Sequence, residues 1–237
     1  MKKSKVLFTI CVSLIGFLVG IGTTKVDIED WIDYLMIQTN MRPAPKTEHI
    51  RMDEIKSVSY VNNNYARFKE EELELNGEPW QTFSDLDSLN RVGVADALLH
   101  KSMMPSEPRE DISMIYPTGW NQKKLDDGNW LYNRSHLIGF QLTGENANWK
   151  NLFTGTQELN QIHMVKYENE IAQYLRSTNN HVRYRVTPIF TNTDLVPYVI
   201  HLQAKSIEDK QINFNVLIPN IQTGITIDYS TGEATKE

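Results

Sequence analysis

The chain has 237 residues, of which 40% are hydrophobic and 23% are charged. This composition is typical of a folded globular protein and excludes a disordered or fibrous one. The formal net charge is −6, and it becomes −9 without the first 22 residues, which contain three lysines and no acidic residue. An acidic chain argues against a stoichiometric nucleic-acid binder with a broad basic face. It does not exclude an enzyme with a local basic groove.

An uncharged, apolar segment runs from residue 6 to residue 22, directly after a lysine-rich start. A basic flank before an apolar segment is typical of an export signal, and this segment is just long enough to cross a bilayer. We therefore predict a signal peptide or a membrane anchor over residues 1–25, with both alternatives open. The rest of the chain is expected outside the cytoplasm, either secreted or anchored to the cell membrane. It contains no cysteine, because Cys11 is the only one.

The next segment, residues 26–50, is predicted as a short amphipathic helix and a linker that ends near Pro43 and Pro45. Whether this helix belongs to the folded domain stays open. The domain is expected over residues 51–237. Within it, strands are predicted at residues 57–61, 91–98 and 112–116, and a polar hairpin tip at residues 123–129.

A helical pattern covers residues 156–177, and four β-rich segments follow it, at residues 182–190, 196–204, 212–218 and 225–229. Late strands around a strand–strand–helix centre predict a mixed α/β (α+β) domain.

The first motif with chemical potential is Asn133-Arg134-Ser135-His136. In an extended segment the side chains alternate, so Arg134 and His136 share a face. A histidine titrates near neutrality and can take a proton from water, and an arginine can clamp a phosphate. By itself this pairing is weak evidence, because a single histidine in a strand is more often structural.

A second group of polar residues lies in and before the predicted helix. Asn160 and Glu168 are eight residues apart, so on a regular helix their side chains differ in direction by about 80° and can lean toward one side. An amide oxygen can bind Mg²⁺ directly, and a carboxylate can bind it through a water molecule. A solvated polar asparagine is the alternative.

The order of these residues resembles the DNA/RNA non-specific endonuclease family, which are ββα-metal (His-Me finger) nucleases. The resemblance extends over about residues 57–232, and residues 1–50 lie outside it. It is carried by residues 117–124, 130–148, 150–156, 159–160, 164, 167–168, 182–190 and 214–220. This family implies a ββα-metal finger core packed on a mostly antiparallel sheet.

The resemblance also implies site residues. His136 falls on the general base and Asn160 on the sole direct protein ligand of the metal. Glu168 falls on the glutamate that touches the water shell of the metal, Arg134 on an arginine near the phosphate, and Asn151 on an asparagine that supports the active site. Asn133 stands where many relatives carry aspartate, and it lacks the charge that would raise the basicity of the histidine. The chain therefore matches the Asn-Arg-x-His branch.

The resemblance implies a Mg²⁺-dependent endonuclease, with Mn²⁺ as a possible substitute, that cuts DNA and RNA without sequence preference and leaves 5′-phosphates. Because the base must be neutral, activity is expected to fall below the pKa of His136. Two alternatives stay open: a non-catalytic surface receptor for nucleic-acid uptake, and a delivered toxin nuclease. The sequence does not indicate an oligomeric state.

Several other residues are predicted to have no direct role in the chemistry. Arg183, Arg185 and Glu70–Glu72 are expected as solvated surface charges, and His163 as structural or on the surface. Trp120, Trp130 and Trp149 are expected to pack in the core, with base stacking as the alternative.

Overall fold

The computed structural model describes residues 55–237. The predicted signal or anchor at residues 1–25, including the proposed tether at 6–22, and the helix and linker at 26–50 lie outside the described residues. Within residues 55–237, none of the helices combines the length and the apolar character that crossing a membrane requires.

A six-stranded, entirely antiparallel sheet forms the body of the domain, with the strand order β1-β8-β7-β6-β3-β2. Its strands are β1 (Ser59–Tyr60), β2 (Trp80–Phe83), β3 (Ala95–Leu99), β6 (Val182–Ile189), β7 (Val199–Ser206) and β8 (Asn213–Pro219). The late strands lie where the alternating sequence pattern predicts them. Two further strands, β9 (Ile225–Ile227) and β10 (Ala234–Lys236), pair with each other near the end of the chain.

A separate strand–strand–helix unit carries the polar motif Asn133-Arg134-Ser135-His136. Strands β4 (Tyr132–His136) and β5 (Leu152–Thr156) pair as an antiparallel hairpin, and the short helix α1 (Phe140–Thr143) lies in their connection. A π-helical turn (Leu159–Met164) then continues directly into α2 (Val165–Ser177). The helix predicted over residues 156–177 is therefore present, but it begins with a wider turn than the sequence predicts.

The core lies between α2 and one face of the six-stranded sheet. Ile171 and Leu175 of α2 are fully buried in the same cluster as Val182 and Tyr184 of β6. Burial of large apolar side chains is the main force that holds such layers together, at about 1.5–3 kcal/mol for each one. Side chains alternate along β6, so its arginines lie on the opposite face of the sheet.

That outer face holds an ion-pair cluster instead of solvated charges. Arg183 is only 3% exposed and donates to Asp96, and Arg185 donates to Asp96 and Glu72. The ring of Phe68 covers both guanidinium groups. The prediction of solvated surface charges is therefore wrong for both arginines and for Glu72, because the segment before β2 folds back over this face.

The prediction of a strand at residues 112–116 is also wrong. This segment is an irregular loop in which Ile115 is buried, while Met114 and Tyr116 are 59% and 62% exposed. The alternating pattern that resembles a strand arises because the loop buries a single side chain. Its backbone carbonyls bond to a side chain instead of a neighbouring strand, as the site geometry below shows.

Candidate active site

The β4–β5 hairpin places the motif residues in a fixed register. Asn133 lies opposite Gly155, Arg134 opposite Thr154, and His136 opposite Leu152. The side chain of Ser135 is fully buried against Gly155, where an added Cβ would lie 2.3 Å from the Ser135 hydroxyl oxygen. Only glycine fits at residue 155, so this close approach helps to fix the strand that ends at His136.

His136 ends β4 and is only 6% exposed. Its Nε2 atom lies 2.9 Å from the backbone carbonyl oxygen of Asn146. A carbonyl can only accept a hydrogen bond, so Nε2 carries the proton of the neutral ring and Nδ1 presents a lone pair. Burial lowers the pKa of His136 to about 4, the Asn146 carbonyl opposes this shift, and the positive charge of Arg109 adds to it. The ring is therefore a neutral acceptor at physiological pH.

Asn151 holds the backbone that follows His136. Its side chain is fully buried, with Oδ1 accepting from the Ile138 amide at 2.9 Å and Nδ2 donating to the Ile138 carbonyl at 3.1 Å. The Asn151 carbonyl also accepts from the Leu137 amide at 2.8 Å. All these contacts tie the start of β5 to the residues directly after the histidine, so the side chain acts on the site through the backbone.

Asn160 lies in the π-helical turn and Glu168 lies two turns later, on α2. A π turn is wider than an α turn, so each residue rotates by less than the 100° of an α-helix. The accumulated rotation from Asn160 to Glu168 is therefore closer to two full turns than on a regular helix. The π turn brings the two oxygen-bearing side chains closer to one side than the sequence spacing predicts.

The Glu168 carboxylate packs against the chain at Gly139, the residue before α1. A Cβ atom added at Gly139 would lie 2.5 Å and 2.6 Å from the two carboxylate oxygens. Burial raises the pKa of Glu168 to about 7, although hydrogen bonds from the Gly139 amide and the Gln141 side chain and the charge of Arg109 act against the shift. An additional positive charge beside this carboxylate would favour its ionised form.

Arg134 and Asn133 point away from each other, as expected in a strand. Arg134 Nη2 donates to the Ser113 carbonyl at 2.7 Å, and its Nε donates to the Ile115 carbonyl. Its guanidinium group also stacks on Trp120, 4.4 Å from the ring centroid. Arg134 thus fixes the loop at residues 113–120. Asn133 Oδ1 accepts from Gln161 Nε2 at 3.1 Å, which links β4 to the π turn beside Asn160.

Arg109 is a basic residue of the site that sequence reasoning misses. It is exposed, its guanidinium group lies 5.2 Å from the ring centroid of Phe140, and its charge acts on both His136 and Glu168. Nothing in the acidic, proline-containing segment around it distinguishes this arginine from a surface charge. Only the fold brings it to the site.

The donor atoms of the site fit a hard divalent cation. Asn160 and Glu168 offer amide and carboxylate oxygens, which are ligands that Mg²⁺ prefers, and Mg²⁺ commonly keeps several waters and few protein ligands. Among residues 55–237 there is no cluster of three or more histidine, cysteine, aspartate or glutamate side chains able to hold a metal. His163 lies 3.7 Å from Glu158 and adds no such cluster.

Comparisons with known proteins agree with this fold. NucA from Streptococcus agalactiae with magnesium bound is 29% identical, with a TM-score of 0.68, over 76% of this chain and 89% of that chain. The metal-free form gives 30% identity, a TM-score of 0.67, and coverage of 76% and 87%. Sda1 nuclease with bound zinc is 22% identical, with a TM-score of 0.63, over 78% and 98%, and shows the same fold.

A family model also matches residues 72–208, which are more than half of the sequence and include every site residue described above. The family predicted from the sequence is therefore confirmed, and the chain belongs to the DNA/RNA non-specific endonuclease family.

Proposed function

We propose that this protein is a metal-dependent endonuclease that hydrolyses phosphodiester bonds of DNA and RNA without sequence preference, leaves 5′-phosphates, and acts outside the cytoplasm. The location rests on the basic and apolar sequence at residues 1–25. The observation that carries the proposed chemistry is the buried His136 ring, whose Nε2 is held by a backbone carbonyl.

His136 acts as the general base in this proposal. Because Nε2 donates to the Asn146 carbonyl, the free Nδ1 atom accepts a proton from the attacking water as the water approaches phosphorus. The same carbonyl then stabilises the protonated ring through the remaining hydrogen bond. Burial keeps the ring neutral before the step, so it is ready to accept a proton at neutral pH.

Asn160 is proposed as the direct ligand of Mg²⁺, with Mn²⁺ as a substitute, and Glu168 as a partner of its water shell. When bound, the cation supplies positive charge that stabilises the pentacoordinate phosphate and the leaving 3′-oxygen. The Glu168 carboxylate lies beside Gly139, and a hydrogen bond from the Gly139 backbone amide holds it in place.

Arg109 is proposed to bind the phosphate from the solvent side, since it is exposed and its charge reaches both His136 and Glu168. Arg134 and Asn133 support the site by holding the 113–120 loop and the π turn, and Asn151 supports the backbone after His136. Contacts to phosphates position a nucleic acid without identifying its bases, which accounts for broad cleavage.

The test is cleavage of supercoiled plasmid and of single-stranded RNA by the full chain, purified in mild detergent. We expect Mg²⁺ or Mn²⁺ to support cleavage of both polymers and EDTA to abolish it. His136→Ala and Asn160→Ala are each expected to lower the rate by at least about 100-fold. His181→Ala is the matched control, because His181 pairs with Glu208 beyond the far end of α2 and should leave the rate unchanged.

A wild-type protein that binds plasmid but never nicks it with either cation would contradict the proposal. A non-catalytic receptor for nucleic-acid uptake would then be the better interpretation, and the missing charge at Asn133 would be the first place to examine. Equal activity of wild type and His136→Ala would instead remove the general-base assignment while leaving the nuclease assignment intact.

A further inference from the structure

A cleft of about 430 Å³ opens beside the β4–β5 hairpin, and the proposed chemistry does not use it. Apolar side chains line it, among them Leu86, Val92 and Leu152, together with the rings of Tyr116 and Trp149. Its volume is in the range of small-molecule sites. Tyr116 is 62% exposed and Trp149 is 51% exposed, so both rings remain largely open to solvent.

The backbone that carries these two rings is firmly held. Arg134 fixes the Tyr116 loop through two carbonyls, and its guanidinium group lies 5.3 Å from the Tyr116 ring centroid. Trp149 begins a short 3₁₀ turn in which the Asn148 side chain accepts from the Lys150 amide at 2.9 Å. Ordered backbone under exposed aromatic rings limits the conformational entropy that binding would cost.

The cleft belongs to the same structural unit as the general base. Leu152 lines the cleft and lies directly opposite His136 in the hairpin, and Asn151 ties the 3₁₀ turn to the residue pair after His136. Directly opposite residues of an antiparallel pair have Cβ atoms about 4.5–5.5 Å apart, so the Leu152 wall of the cleft adjoins the histidine. We therefore expect nucleotides next to a phosphate at His136 to reach these rings.

The rim of the cleft carries an exchangeable positive charge. Lys150 follows Trp149 and pairs with Asp85 at 2.7 Å, and the two side chains are 45% and 92% exposed. An ion pair this exposed contributes little, so Lys150 can exchange Asp85 for a phosphate at small cost. Apolar walls, two open rings and a lysine match the chemistry of a nucleotide, which has an aromatic base and an adjacent phosphate.

We propose that this cleft is a stacking subsite for an unpaired nucleobase next to the phosphate that is cut, with Trp149 and Tyr116 as its rings. The inference rests on the proposed function, since it takes a nucleic acid as the substrate. Stacking on a ring tolerates every base, which agrees with cleavage that lacks sequence preference. A base in a duplex must first leave its stack, so the subsite favours single-stranded substrates.

The binding test uses the full chain in EDTA, where no cleavage occurs. Anisotropy is measured with a short labelled oligothymidylate and with an abasic strand of equal length and charge. We expect wild type to bind the base-bearing strand more tightly, and Trp149→Ala to weaken that binding by roughly 5- to 150-fold. Trp149→Phe and Tyr116→Phe retain a ring and should keep most of the affinity.

Trp130→Ala is the matched control, because Trp130 is 52% exposed and lies outside the cleft, over Lys124. Equal losses in Trp149→Ala and Trp130→Ala, or equal binding of the two strands by wild type, or no binding of either strand, would overturn the subsite. A change of oligomeric state in Trp149→Ala without loss of strand binding would assign the cleft to a protein contact and overturn it as well.

A kinetic arm separates this inference from the proposed function. With Mg²⁺, Trp149→Ala should raise KM for single-stranded DNA more than for duplex DNA, with kcat within about twofold of wild type. If wild type cuts no nucleic acid, the proposed function fails while the binding arm still decides the subsite. If wild type cuts normally and Trp149→Ala shows no preferential KM effect, the subsite fails and the nuclease assignment stands.

Discussion

The Nε2 atom of His136 lies 2.9 Å from the carbonyl oxygen of Asn146, so the loop between the two hairpin strands determines which ring nitrogen is free. Burial of the ring lowers its pKa to about 4, well below the ordinary 6.5. The acid limit that His136 itself imposes on activity is therefore expected near pH 4 and not near pH 6.5. Any loss of activity closer to neutrality must come from another group.

The buried His136 ring also predicts a pH dependence of stability. Because its folded pKa lies below its unfolded pKa of 6.5, the unfolded chain binds the proton first, and stability is lost as the pH falls from 6.5 toward 4. Between pH 7 and pH 5 this residue should cost the folded state up to about 2 kcal/mol. His136→Ala should remove that loss in urea unfolding measured in EDTA. A difference between wild type and variant that is the same at both pH values would contradict the prediction.

Glu168 predicts the opposite slope. Burial raises its folded pKa from 4.5 to about 7, so the folded state binds the proton more tightly and gains stability as the pH falls from 7 toward 4.5. Glu168→Gln should be more stable than wild type at pH 7, and this advantage should shrink by about 2 kcal/mol at pH 5. The measurement is again urea unfolding in EDTA. An advantage that grows on acidification would show that the carboxylate is not buried in this way.

Gly139→Ala should damage the site without removing any functional group. The new Cβ would lie within 2.7 Å of the Glu168 carboxylate, so that carboxylate must move. We expect kcat to fall by roughly 10- to 100-fold, as misplacing a group by about 1 Å can do. Gly93→Ala is the control for kcat, because its Cβ would lie 2.6 Å from Ser84 Cβ, in a loop that lines the stacking cleft but carries no residue proposed for the chemistry. Equal losses of kcat in both variants would indicate general strain.

Asn151→Ala should destabilise the fold while leaving metal affinity intact. Both hydrogen bonds to the buried backbone of Ile138 are lost, at a cost of about 2–4 kcal/mol in the free energy of unfolding. The Mg²⁺ concentration for half-maximal activity should match that of wild type, since Asn151 acts through the backbone. Asn129→Ala, whose side chain is exposed and pairs with Asp127, should change stability by less than about 0.5 kcal/mol. A shifted Mg²⁺ requirement would make Asn151 a ligand instead.

The spacing of apolar residues along the sequence predicted most of the regular helix and strands of the domain. The helix after residue 156 and the strands from residue 182 onward show the periodicity of their secondary structure, and the strand that ends at His136 was considered only as a condition. The same rule failed at residues 112–116, where alternation arises from a loop that buries Ile115. It also gave no indication of β2, which has only four residues, or of β5, whose residues are all buried and so do not alternate.

The sequence did not predict contacts between residues that lie far apart along the chain. The π turn at Asn160 has no local sequence signal, yet it changes the direction of that side chain relative to Glu168. Arg109 reaches the site only because the loop after β3 packs on Phe140. Arg134 was expected at the phosphate, and its hydrogen bonds to loop carbonyls depend on a segment about twenty residues earlier in the chain.

The paired charges on the outer face of the sheet have a consequence for how a polyanion meets this molecule. Asp96 and Glu72 neutralise both arginines of β6, so that face offers no attraction to offset the overall charge of −6. The long-range field therefore repels DNA and RNA, and at physiological ionic strength it fades within about 8 Å. Whether a nucleic acid binds is therefore decided by short-range contacts. We expect a productive complex only when the nucleic acid approaches the side of the protein that carries the β4–β5 hairpin.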